Sequence, residues 1–592
     1  MSPSKRILLA VIATAFLISG PAAFGLTITS PANDAHLPAG PDYATDVLGD
    51  PWDMSNPEDI GLDPSETVGW TNFSVNSPSH PGLAGGTTST YDTQLSLLFR
   101  GFYGIINPGK NGRNFPIDTG KYQKLSFRMS STRANQVMQV YWFHTPWLDP
   151  SALPPIGGNG NFGWVLPGYT INGFKIFVVD MTVGNQGVPA CAQGVDVCAW
   201  TNGVVRGLRL DPNNSDFDQD VFFDWVRLTV ADNAPGAAMQ RIEWTGGSGT
   251  ATIDVLDASG TVLNIASGVN SPFNWNYGIL PPGAYQLRVT AGSALDTTNF
   301  SINNPPIIHV TDPDATGRAD YATTVLGNPW DMDSAADIQS TDNITDVSFS
   351  NGLLHATNTN NDPIITLLNN AIPIDTTKYR YLTYTMQVDG DFNLGDGSVA
   401  RVFWDSHQFF NSATATTTKD IIVFPGMNTY TIDLASLTTD PDGGLVTSGG
   451  AEAWAPGSKT HFRFDPHEFW APRTFHIDNV KLAAMAETNH GKFIIRFNGS
   501  DEDPGDNPTV TLYYDTDKDP TNGKIQIVSG LALATGQYTW NTASVTPGVY
   551  YIYAEVSDGL NTSGLYSRGQ LRVIGPGNKI SPILMMLLSR AD

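Results

Sequence analysis

The segment DTDKDPTNG alternates three carboxylates, Asp515, Asp517 and Asp519, with small and polar residues. Alternate acidic residues in a turn can converge several hard oxygens on one Ca2+, as the first, third and fifth loop positions of an EF-hand do. The bidentate Glu that completes an EF-hand loop is missing here, so a site would need a further donor, and Asp501, Asp503 and Asp506 are the nearest in sequence. An ordinary acidic hairpin turn is the competing expectation. A second alternating set, Asp216, Asp218 and Asp220, stands in SDFDQD.

Aromatic residues offer a different chemistry. Sugar rings present flat C–H faces that stack on Trp and Tyr, while their hydroxyls need polar partners. Trp147, Trp164 and Trp200, and further on Trp454 and Trp470, fall in loop-like sequence, with His407 as a polar neighbour. These six are the candidate ligand-binding residues, and a polysaccharide or glycoconjugate is the expected partner. Ordinary packing competes with that expectation for each of them. Trp52, Trp142, Trp330 and Trp404 lie in segments that recur along the chain and are expected in cores.

Catalysis finds little support. There is no Gly-x-Ser-x-Gly elbow, no His-Glu-x-x-His, no Walker loop and no Gly-x-Gly-x-x-Gly leading into a helix. Carboxylates abound, yet nothing singles out the pair that a glycosidase needs. The chain is therefore expected to be non-catalytic. Its two cysteines, Cys191 and Cys198 in CAQGVDVC, form a close pair in a Gly-containing loop and read as a local disulfide in an oxidising compartment.

The elements that must position these groups come in duplicate. Asp42–Ile60 reads DYATDVLGDPWDMSNPEDI and Asp320–Ile338 reads DYATTVLGNPWDMDSAADI, a gap-free match. PIDTGKY ending at Tyr122 returns as PIDTTKY ending at Tyr379. VYW ending at Trp142 returns as VFW ending at Trp404, and RLDP ending at Pro212 as RFDP ending at Pro466. FFDWVRL ending at Leu228 returns as HIDNVKL ending at Leu482. A smaller pair, WNYGILPPGAY ending at Tyr285 and WNTASVTPGVY ending at Tyr550, places a Pro-Gly turn before alternating strand sequence, a hairpin signature. Strand patterns dominate and helical periodicity is scarce, so the expected fold is all-β, with four sandwiches in a large–small, large–small order.

The expected boundaries are a signal peptide at 1–25, large domains at 27–232 and 305–485, small domains at 235–303 and 487–574, and a tail at 575–592. Lys5 and Arg6 precede the apolar run Ile7–Ser19, and Ala22, Ala23 and Gly25 offer a cleavage site, so a secreted or cell-surface location is expected. That run and the apolar tail are both too short for a membrane span. Of 592 residues only 15% are charged, while Gly and Pro are plentiful, which suits short strands joined by tight turns. The formal net charge of −25 makes nucleic acid a poor partner, because an acidic surface repels phosphates.

At their closing strands, Phe223-Asp224-Trp225-Val226 and Ile477-Asp478-Asn479-Val480, the large units resemble jelly-roll carbohydrate-binding modules of the galactose-binding-like superfamily. Val-Asp-Met at Val179–Met181 and Ile-Asp-Leu at Ile432–Leu434 fit the same order. The small units look like immunoglobulin-like or fibronectin-III-like modules. The resemblance implies glycan binding through loop aromatics. It also implies a structural Ca2+ in each large unit, with Asp53, Asp224, Asp331 and Asp478 as donors. Two other expectations stand beside it: a structural subunit of an extracellular filament, surface layer or adhesin that self-assembles, and a polysaccharide-degrading enzyme or its accessory subunit.

Overall fold

The structure, a computed structural model, describes residues 25–60, 68–98, 112, 115–144, 162–183, 199–201, 203–213, 216–314, 319–369, 371–390, 399–407, 415–423, 426–438, 445–446, 452–484, 486–489, 491–503 and 506–575. It is all-β and built from four sandwiches. Among the described residues no helix is long and apolar enough to cross a membrane.

In the first large sandwich one sheet runs, edge to edge, Gly173–Asp180, Tyr122–Ser131, Asp220–Val230, His80–Thr88 and Trp70–Ser77. The second large sandwich repeats that order with Asn428–Asp433, Tyr379–Val388, Thr474–Ala484, Leu353–Asn358 and Ile344–Ser350. The facing sheets are centred on Gly207–Asp211 paired with Gln139–Phe143, and on His461–Asp465 paired with Val399–Asp405. Period-two alternation puts one side of each strand into a dry interior. There Leu125, Phe127, Val140, Trp142 and Leu210 pack in one copy, and Leu382, Tyr384, Val402, Trp404 and Phe464 in the other.

The repeated opening segment earns its repetition by packing. Tyr43 and Trp52 lie 5.7 Å apart in the first core, and Tyr321 and Trp330 also 5.7 Å apart in the second. All four are at most 1% exposed. A short helical turn precedes each Trp and ends at Gly49 or Gly327, whose φ of 71° and 73° falls in the left-handed region that glycine tolerates best.

The small sandwiches depart from the expected boundaries. Leu26–Ser30 pairs with Met239–Gly246, and Ala35–Leu37 runs parallel to Ala294–Ile302, so residues 26–37 complete the first small sandwich. Likewise Ile307–Asp312 pairs with Lys492–Ser500 of the second. Each large sandwich is thus inserted into a small one, after its first two strands in the first half and after its first strand in the second. The side chains of Leu26, Ile308 and Val310 fill the small cores. A strand this short carries its alternation but no mark of which sheet it joins, so sequence assigned it to its neighbour along the chain.

Candidate functional site

Trp200 and Trp454 are core residues. Each is 1% exposed. The indole N–H of Trp200 donates to the Tyr122 carbonyl at 2.8 Å, and that of Trp454 to the Tyr379 carbonyl at 2.8 Å. Trp200 stands edge-on to Trp142 at 5.6 Å, and Trp454 edge-on to Trp404 at 5.3 Å. They are one structural position in two copies, so neither is free to stack on a ligand. The signal was present: Ala-Trp-x-x-Gly at 199–203 recurs at 453–457, and the Gly203 and Gly457 carbonyls accept from Thr119 and Thr376 of the repeated PIDT segment.

Trp470 differs. It is 75% exposed, on the turn between His461–Asp465 and Thr474–Ala484. Trp164 is half-buried on the strand Phe162–Val165, its ring stacked on Tyr141 at 6.2 Å. His407 is exposed, and its Nδ1 is hydrogen-bonded to the buried carboxylate of Asp405. Trp147, Cys191 and Cys198 lie outside the described residues.

On the strands that lead to the Trp470 turn, the second large sandwich carries a set of arginine–carboxylate pairs, with Arg463 and Asp465 buried. Arg463 grips Asp465 with two hydrogen bonds of 2.7 and 2.6 Å and reaches Asp362 at 2.5 Å. Arg401 pairs with Asp420 at 2.7 Å and with Glu468 at 3.3 Å. Burial pushes the Asp465 and Glu468 carboxyls up to about 7, against the pull of these guanidiniums. The first copy retains the centre of this arrangement: Arg209 holds Asp211 at 2.7 and 2.6 Å, with its guanidinium 4.4 Å from the Tyr141 ring. Arg463 lies 4.4 Å from Phe403 in the same way. The counterpart of the Trp470 turn in the first copy holds SDFDQD, where Asp216 pairs with Arg133 and Asp220 accepts from Thr87 at 2.7 Å.

The carboxylates sort themselves by partner. Asp515 is buried; it accepts from the Tyr566 hydroxyl at 2.7 Å and from the Thr516 amide at 2.7 Å. Asp517 accepts from the Asp519 amide at 2.9 Å, and Asp519 from Thr521 and Asn522. Asp517 and Asp519 serve their own turn, Asp515 is tied to Tyr566 on another strand, and the three do not gather into one group. Asp224 is engaged by Arg128 at 2.6 Å, and Arg128 also reaches Asp257 of the small sandwich at 3.0 Å, so this pair ties the two sandwiches together. Asp478 accepts from the side-chain Nδ2 of the neighbouring Asn479 at 2.8 Å.

Asp331 does stand in a cluster, with Asp333 and Asp337, one oxygen of each lying within 4.8 Å of the others. Asp337 is fully buried. One of its oxygens accepts from Asn328 at 2.7 Å, and the other has no hydrogen-bond partner. Burial, then the charges of Asp331 and Asp333, raise its pKa. Asp59 occupies the same place in the first copy, fully buried with its Oδ1 unpartnered, and burial aided by Asp53 and Asp50 pushes it up to about 8. A buried carboxylate with an unmatched oxygen and acidic neighbours can donate to a hard cation, and of these two groups it is Asp331, Asp333 and Asp337 whose oxygens converge. Sequence reading picked Asp53 and Asp331 but passed over Asp59 and Asp337, although both stand at the same offset in the repeated opening.

The fold defines a tandem, multidomain all-β chain in which large and small sandwiches alternate. No protein-family model matches it, and no curated protein matches it. Solved structures that it is similar to include a three-domain fragment of titin, at 11% identity over 57% of this chain and 91% of that one, with a TM-score of 0.11. The FN1–FN3 domains of chicken CNTN1 match at 11% identity over 56% and 95%, TM-score 0.11. Extracellular domains 3–5 of Drosophila OTK match at 9% identity over 57% and 91%, TM-score 0.10.

Proposed function

We propose that the chain is a secreted or cell-surface, non-catalytic binding protein whose ligand face lies on the second large sandwich, with glycans as the ligand class. The observation that carries this reading is Trp470, 75% exposed and two residues after Glu468, the partner of Arg401, while Trp200 and Trp454 are sealed in cores. A flat apolar ring next to charged hydrogen-bonding groups matches what a pyranose presents: one C–H face and a rim of hydroxyls. The two carboxyls of raised pKa that precede it in sequence, Asp465 and Glu468, are each held by an arginine. That favours a binding face over a pair of acids facing a scissile bond. The test is retention of the full-length chain on insoluble polysaccharides and on a glycan array. Binding lost in Trp470→Ala and kept in Trp164→Ala supports the reading; no binding to any glycan overturns it.

A second reading, a self-assembling structural subunit, is favoured by the sheet edges. Val262–Val269 and Ile525–Ala532 are edge strands of the small sandwiches and keep Val262 and Ile525 about half exposed. Such edges can pair between chains. Sedimentation and electron microscopy of the secreted protein distinguish filaments from monomers.

A further inference from the structure

The linker between the two halves meets a group of acids that neither glycan binding nor the sandwich cores require. Asp501, Asp503 and Asp506 of the second small sandwich bring one carboxylate oxygen each within 4.8 Å of one another. Asp558, on the neighbouring loop, lies near enough to add its charge to that of Asp501. Among the described residues no Lys or Arg forms an ion pair with any of the four.

Against this group sits Asn303, which directly follows Ala294–Ile302, a strand of the first small sandwich. Its amide N–H donates to the Leu37 carbonyl at 2.8 Å, fixing it to the first half. Asn303 is 8% exposed, and its Nδ2 donates to Asp503 at 2.5 Å and to Asp506 at 3.5 Å. The Oδ1 of Asn303 has no hydrogen-bond partner, and neither has Oδ2 of Asp501 or Oδ2 of Asp558. Asn304 adds two more hydrogen bonds to Asp503, at 2.7 and 2.9 Å. Four acids without a basic partner, two of them with a sealed, unmatched oxygen, meet N–H donors but no full positive charge. The amide oxygen and nitrogen of Asn303 exchange places by a simple flip, which turns Oδ1 toward the acids.

We propose that these residues form a calcium site at the junction of the two halves, with Asn303 contributing a ligand from the first half to acids of the second. All the donors are hard oxygens. Their irregular spread over two loops and a linker suits Ca2+, which accepts six to eight oxygens in flexible geometry, better than the strict octahedron of Mg2+. The same loops already touch the first half: Asn561 exchanges two hydrogen bonds of 3.2 Å with the backbone of Ala39, and Asp558 accepts from the Asn561 amide at 2.6 Å. A cation here therefore fixes the angle between the halves, and its removal frees it.

The test uses the full-length chain, stripped with EDTA and titrated with CaCl2, followed by calorimetry for stoichiometry and small-angle X-ray scattering for shape. Wild type is expected to contract on adding Ca2+. Asp501→Asn/Asp506→Asn is expected to bind one ion fewer and not to contract. Asn303→Ala, which leaves every acid in place, is expected to weaken that same ion about tenfold; it carries the test if the double variant does not fold. Asp333→Asn/Asp337→Asn should lose a different ion and still contract. Equal stoichiometry in wild type and Asp501→Asn/Asp506→Asn, unchanged affinity in Asn303→Ala, or scattering that Ca2+ does not alter overturns the proposal.

Discussion

The indole N–H of Trp200 donates to the carbonyl of Tyr122, so a residue on an irregular segment seals the end of the first large core. Trp454 does the same for Tyr379. Replacing either by Ala removes a buried indole, opens a cavity and leaves a carbonyl unmatched. The expected loss is about 3–5 kcal/mol in the stability of the sandwich concerned, read as a lowered transition in differential scanning calorimetry. An unshifted transition would show that the ring is dispensable for packing.

Trp470 predicts the opposite pattern. Its ring is largely in water, so Trp470→Ala should change stability by no more than about 0.5 kcal/mol. If the ligand face proposed above is right, the same change should abolish retention on any polysaccharide that retains the wild type. Loss of both folding and binding would remove Trp470 from the ligand face and return it to a packing role.

The pairing of these two tryptophan classes marks where sequence was legible. The four-sandwich duplication was readable because core positions such as Tyr43, Trp52, Tyr321 and Trp330 repeat without gaps, and burial tolerates few alternatives there. Trp200 and Trp454 were misplaced because their flanks, CAWTNG and EAWAPG, read as loops, and a loop residue that plugs a core carries no periodicity. Asp59 and Asp337 were missed for a related reason. Acidity suggested exposure, whereas the fold buries both carboxylates completely. Asp224 was given a metal's role when its partner, Arg128, lies on another strand of the sheet, a pairing invisible along the chain.

Asp337 supplies a prediction whose sign depends on calcium. Without the ion, its buried charge is opposed by Asp331 and Asp333, so Asp337→Asn should stabilise the second large sandwich. With Ca2+ present, the wild type gains binding free energy that the variant forgoes, about 2.7 kcal/mol at roughly a hundredfold excess over the dissociation constant. Thermal melts of the two proteins should therefore change order between EDTA and CaCl2. Curves that keep one order in both buffers would count against a cation at Asp331, Asp333 and Asp337.

Arg128 links Asp224 in the first large sandwich to Asp257 in the first small one. Arg128→Met keeps much of the packing volume but strands two acids beside each other. The pair is partly exposed, so the expected cost is about 2–3 kcal/mol, below that of a fully buried pair. Because the contact crosses between sandwiches, the first-half transition in calorimetry should also broaden or split. A uniform shift with an unchanged width would assign Arg128 to the large sandwich alone.

His467 gives the second large sandwich an acid limit. It is fully buried against Phe469 and Phe475. Its Nδ1 accepts from the Phe469 amide at 3.2 Å, and its Nε2 has no partner to receive a proton's charge. Burial, with the nearby charge of Arg473, lowers its pKa from 6.5 to about 3. Between those values the unfolded chain binds a proton that the folded chain refuses. The stability His467 allows is therefore complete above pH 6.5 and falls as pH drops toward 3, by up to about 1.4 kcal/mol per pH unit. His467→Asn, whose Oδ1 can still accept from the Phe469 amide, should be less stable at neutral pH because the site is left underfilled. Its stability should decline less steeply than the wild type's from pH 6.5 to 4 when followed by urea unfolding. Parallel profiles over that range would show that the imidazole finds a way to carry its charge inside the sandwich, and the acid limit would then belong to another group.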